Sequence, residues 1–185
     1  MRKIFLGCVV ALMVAGGFSA KAEGVVDSIC LYIPNRILDT FDIFTLNVGF
    51  GPVARAELRF TRAVAFGGGI GFTAKAIKDY NRQYGAALQN GWNGSFLCID
   101  AEDTSRKPTT RLVKEYWEHN EGFPSPEDRI YDFYTGARDY WEVGGSVGAL
   151  GEVDFYIHPI EVLDLVAGFL FIDLKDDDLS FEDFE

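Results

Sequence analysis

Gly144-Gly145-Ser146-Val147-Gly148 has the spacing of a G-x-S-x-G nucleophile elbow, in which a sharp strand-to-helix turn exposes a serine to a neighbouring histidine and acid. Asp154 and His158 follow in the right order but within twelve residues, too near in the chain for partners that come from separate loops. The apolar alternation also runs through the motif to Ile157, which reads as a glycine-rich strand rather than an elbow. Metal chemistry is limited by the histidine count, since only His119 and His158 are present. Glu115, Glu118, His119 and Glu121 are dense enough to suggest a ligand set, but Gly122 and Pro124 beside them suit a solvated loop better. Asp173, Asp176, Asp177 and Asp178 offer hard oxygen ligands for calcium. They lack the glycine and terminal glutamate of an EF-hand loop and read as an acidic tail. No catalytic, cofactor-binding or metal-binding set is assigned, and no cofactor is expected.

The elements that would position such residues are dominated by Phe44 to Ala74. Phe44, Leu46, Val48 and Phe50, then Ala54, Ala56, Leu58 and Phe60, then Val64, Phe66, Ile70 and Phe72 alternate with polar or small residues. Period two is the pattern of strands with one buried face. Breaks at Gly51-Pro52 and at Arg62-Ala63 predict a three-stranded antiparallel meander. Trp141 to Ile157 alternates on odd numbers, which predicts one long strand or a bent pair with its bend at Gly148 to Gly151. Phe96 to Ile99 reads as a short strand carrying Cys98. Residues 100–139 form a polar excursion, with Thr109 to Trp117 and Ile130 to Tyr134 as its two strands.

Pro34 followed by Ile37, Leu38 and Phe41 predicts a short N-terminal helix, and Pro159 opens an apolar C-terminal one. The phrase proline, two residues, β-branched residue, leucine, aspartate occurs in both, at Pro34–Asp39 and Pro159–Asp164. On the second helix Glu161, Asp164 and Gly168 share one narrow side, so the rest must be buried in a core, a partner or a membrane interface. If it packs on the sheet, Leu163→Asp is expected to unfold the protein. The fold class expected is therefore β-rich α+β, an antiparallel meander or barrel-like sheet with these two helices.

Arg2 and Lys3 before an apolar run, with Ser19-Ala20-Lys21-Ala22 after it, predict a signal peptide over 1–22. A single β-rich domain would fill 23–172 and an acidic tail 173–185. The formal charge of −11 disfavours binding to nucleic acid. Removing the signal leaves two cysteines, Cys30 and Cys98, and an even count in an oxidising compartment predicts a disulfide between them. Tyr80, Tyr84, Trp92, Tyr116, Trp117, Tyr131, Phe133, Tyr134, Tyr140 and Trp141 flank the strands, as interface belts or as core packing.

Arg36-x-x-Asp39-x-x-Asp42-Ile43-Phe44 leading into glycine-rich strands, with Leu163-Asp164 and a late Asp-Asp run, resembles a loosely defined group of small exported bacterial envelope proteins of unknown function. That resemblance implies a location, periplasm or outer membrane, and no activity. The expectation is a non-enzymatic exported envelope protein with a structural or binding role, associated with the outer membrane or another envelope protein. The alternative is a small outer-membrane β-barrel whose even-numbered apolar residues face lipid.

Overall fold

The computed structural model describes residues 30–170 together with Ile172, Leu174, Lys175 and Leu179. The expected signal peptide, 1–22, and most of the expected tail, 173–185, lie outside the described residues. The chain divides into two compact units. One is Pro34–Asp178 and holds every strand; of the other, Met1–Ile33 with Leu179–Glu185, only Cys30–Ile33 and Leu179 are described.

Helix α1 (Tyr32–Asp42) leads into strands β1 (Phe44–Thr61), β2 (Val64–Asp79), β3 (Gln83–Leu97), β4 (Ile99–Pro108) and β5 (Tyr116–Gly122). A single 3-10 turn at Arg129–Tyr131 follows, then β6 (Val143–Ile157) and helix α2 (Pro159–Gly168). The strands form one antiparallel sheet in the order β5-β4-β3-β2-β1-β6, a meander in which β6 returns to pair with β1. The sheet is not closed, since among the described residues β5 and β6 have no ladder to each other.

Gly51-Pro52 is not a hairpin turn. Both residues lie within β1, skipped by the ladders to β2 and to β6, whose registers resume at Val53 and Ala54. Proline has no amide proton to give a ladder, and a bulge is where a central strand tolerates it. The expected three-stranded meander over 44–74 is therefore two strands, joined at Arg62-Ala63. The 100–139 region is also different from the expectation. Asp100–Pro108 belongs to β4, Tyr116–Gly122 is β5, and Ile130–Tyr134 is no strand.

The alternation holds in every strand, but the buried side is the polar one. Thr45, Asn47, Glu57 and Arg59 of β1, Thr73, Lys75 and Asp79 of β2, and Asp100, Glu102 and Arg106 of β4 point to the buried face. Leu46, Val48, Phe50, Leu58 and Phe60 point out, with Phe50 75% and Ile70 63% exposed. Pairs such as Leu46–Phe155, Val48–Val153 and Ile70–Trp92 carry this apolar surface continuously across β6, β1, β2 and β3. It stops at β4 and β5, whose outward positions include Asp103, Ser105, Lys107, His119 and Glu121.

Both helices follow the same rule. α1 buries Asn35, Arg36, Asp39 and Asp42 while Ile37 and Phe41 are exposed. α2 buries Glu161, Asp164 and Gly168 while Leu163, Val166 and Phe169 are exposed. The two proline phrases thus place an aspartate, Asp39 or Asp164, at equivalent buried positions. Gly168 leaves room for the guanidinium of Arg36, which would have to move aside for a Cβ there. α2 does not cover the sheet with its apolar side, and with Leu163 62% exposed, Leu163→Asp does not enter a core.

Candidate functional site

The interior face is a network of ion pairs built from both ends of the sheet. Arg62, at the β1–β2 turn, is fixed by its amide donating to the Tyr140 carbonyl at 2.7 Å. Its Nη2 then reaches Asp100 at 2.6 Å, Glu102 at 2.8 Å and Glu118 at 3.0 Å. Its Nε donates to the Tyr131 hydroxyl, which in turn donates to Glu118. Arg138 bridges Glu102, at 2.7 Å, and Glu118. Burial opposes the charge on Arg62, but Asp100 and Glu102 outweigh it and raise its pKa further.

Along β1, Arg59 pairs with Glu57 and with Glu142, and Asn93 donates to Glu57 at 2.6 Å. Lys75 on β2 crosses beneath β1 to Asp154 of β6 at 2.7 Å and to Glu152 at 3.0 Å. Inward glycines make room for these long side chains: a Cβ on Gly69 would meet Arg55 Cβ at 2.7 Å. The space left among these groups is about 40 Å³, room for ordered water but not for an organic ligand.

His158 lies at the entry to α2 and is fully buried. Its Nδ1 is 2.8 Å from Asp139 and its Nε2 is 2.8 Å from Thr45 Oγ1. With the Thr45 hydroxyl proton directed to Asp79 at 2.5 Å, the Thr45 oxygen is placed to accept from His158, an arrangement that suits the protonated ring. His158 stacks on Tyr80, with ring centroids 5.1 Å apart. An acid, a histidine and a hydroxyl are aligned here as in a nucleophilic triad, but the hydroxyl proton is already committed and neither Thr45 nor His158 reaches solvent.

Burial alone would lower the His158 pKa; the Asp139 hydrogen bond and the charges of Glu142, Asp139 and Asp79 outweigh it and raise it above the ordinary 6.5. The folded state thus holds a proton that the unfolded chain releases near pH 6.5. This stabilisation is complete below that pH and is lost as pH rises through the folded value. Burial also raises Glu142, which acts in the same direction. The urea midpoint is expected to fall between pH 6 and pH 8.5, and His158→Gln to flatten that slope.

Ser146 is an inward residue of an uninterrupted β6, donating its proton to Asp154 with Glu152 3.3 Å away, and His158 is occupied elsewhere. The cluster near His119 is divided between faces: Glu118 points inward to Arg62, while His119 points outward and stacks on Trp117. Among the described residues no group of acids, histidines and cysteines could hold a metal ion. Cys30 and Cys98 are free and exposed, so the expected disulfide is not formed; Cys98 is at the tip of the tight β3–β4 hairpin, beside Leu97 with φ of 56°. The aromatics divide between the faces, with Tyr80, Tyr116, Tyr131 and Tyr140 inside and Trp92, Trp117, Tyr134 and Trp141 outside. Arg62, Arg138, Asp139 and the Thr45–His158 contact were not visible in the sequence as a site, because their partners lie far along the chain. No family model matches the chain, and neither the curated proteins nor the solved structures contain a match to it.

Proposed function

We propose that the protein is a non-enzymatic structural or binding component of the cell envelope, held in the outer membrane by the apolar outer face of β6, β1, β2 and β3. One observation carries this reading: a continuous uncharged surface lies outside a buried, ion-paired interior. Water-soluble sheets have the opposite arrangement, and an exposed patch of this extent marks a lipid or protein interface. From Leu46 to Phe60 the outward positions of β1 are all apolar. At about 3.3 Å per residue and a tilt near 45° they rise about 30 Å, the thickness of a hydrocarbon core. Among the described residues no helix is long and apolar enough to cross a membrane, so the strands would do so. The absence of an enzymatic role is part of the proposal, supported by the ion pairing of the inward Arg, Lys, Asp and Glu side chains with one another.

A second reading has the same face covered by another envelope protein, and the polar outer positions of β4 and β5 favour it. In either setting the free side of β6, which ladders only with β1 among the described residues, is where a partner strand would add. The full-length chain should be expressed in a Gram-negative host and its membranes washed with carbonate. Retention in the outer-membrane fraction is expected. Release by carbonate supports the protein-covered arrangement, and recovery in the periplasm overturns both readings.

A further inference from the structure

A cavity of about 380 Å³ lies between the loop around Arg129, the residues leading into β6, and the first turn of α2. Its size is within the range of small-molecule sites. The walls combine aromatic rings, Tyr80, Phe133 and Trp141, with the carboxylates of Asp128, Asp139 and Glu161. At one end an ammonium is already in place. Lys175 is buried, its Nζ 2.8 Å from Glu161 and 2.7 Å from Asn81, and 5.2 Å and 4.9 Å from the centroids of the Tyr80 and Phe133 rings.

Two aromatic faces with a carboxylate and an amide oxygen are the groups that hold a desolvated ammonium. The Tyr80 hydroxyl is directed away to the Arg138 carbonyl, which leaves its ring face to the cation. Lys175 is the one base in an otherwise acidic tail, and the acids of the cavity extend beyond the position its Nζ fills. We infer that this cavity binds a small organic diamine or polyamine, and that Lys175 occupies its ammonium position as a tethered internal ligand. Burial raises the Glu161 pKa despite Lys175, so this carboxylate gains from any cation brought against it.

The probe is cadaverine, whose chain reproduces a lysine side chain and adds a second ammonium for the Asp128 side. Titrated calorimetrically into the mature protein it should bind weakly, and at least tenfold more tightly to Lys175→Ala, because an internal competitor lowers apparent affinity by the fraction of sites it leaves open. Phe133→Ala, at a half-exposed position, combined with Lys175→Ala should lose that gain. In wild type labelled with 13C at lysine Cε, saturating cadaverine should move the ring-shifted Lys175 signal to the position of a free lysine. This measurement needs no variant to fold. The inference is overturned if Lys175→Ala binds no better than wild type, if the Lys175 signal does not move, or if Phe133→Ala leaves affinity unchanged, since binding would then be diffuse attraction to an acidic surface.

Discussion

Arg62→Met is expected to destabilise the protein by about 3–5 kcal/mol, the cost of removing one partner from a buried ionic group. The side chain is fully buried and its guanidinium is shared by Asp100, Glu102 and Glu118. Without it, among the described residues, Glu102 and Glu118 have Arg138 as their remaining cation, and Asp100 has the neutral donors Ser95 and Asn120. Against a total stability of about 5–15 kcal/mol this is a large fraction. Arg62→Lys should cost nearly as much, since a single ammonium cannot reproduce the planar fork that meets Tyr131 and three carboxylates together. Urea unfolding followed by tryptophan fluorescence gives the number. Unpaired buried carboxylates bind protons more tightly in the folded state, so the Arg62→Met variant should regain stability as pH falls towards 5. A loss under about 1 kcal/mol would mean that the network is solvated and not structural.

If lipid covers the apolar face as proposed, Ile70→Arg is expected to leave the fold intact and to remove the protein from the membrane. Ile70 is outward, 63% exposed, and paired with Trp92 and Ala54 in the middle of the apolar surface. On a water-facing sheet such a change falls within about 0.5 kcal/mol of neutral. Against acyl chains it costs about 2–4 kcal/mol near the midplane. Ser105→Arg on β4 is the matched control, outward but on the polar flank and opposite Asn90. Carbonate-resistant membrane protein, compared between the two variants, should fall several-fold for Ile70→Arg and hardly at all for Ser105→Arg. Equal retention of both would remove lipid contact as the reason for the exposed surface.

Much of this architecture was legible as periodicity, and its sense was not. Leu46, Val48 and Phe50 alternate with Thr45, Asn47 and Gly49 whichever side is buried, so the pattern locates β1 and β6 without saying which face meets water. Glu57 and Arg59 between apolar neighbours were the available sign, since a strand rarely places both on its buried side unless they pair. β4 was missed because Asp103, Ser105 and Lys107 give it no apolar face, although Asp100, Glu102, Thr104 and Arg106 alternate as regularly as Leu46 to Phe50. Gly51-Pro52 reads as a turn in the sequence because proline more often ends a strand than sits in a bulge. The ionic network could not be read at all. Arg62 meets Asp100 from 38 positions away and Glu118 from 56, and nothing local in either stretch selects the other.

The filling of the interior also bears on what passes through it. Arg59, Lys75, Arg106 and Arg138 extend over the inner face of the sheet and leave about 40 Å³ among them. A permeating ion would have to separate pairs such as Lys75–Asp154 and Arg62–Asp100. Placed in a planar bilayer, the protein should be electrically silent, and current should appear only when several of these side chains are shortened together.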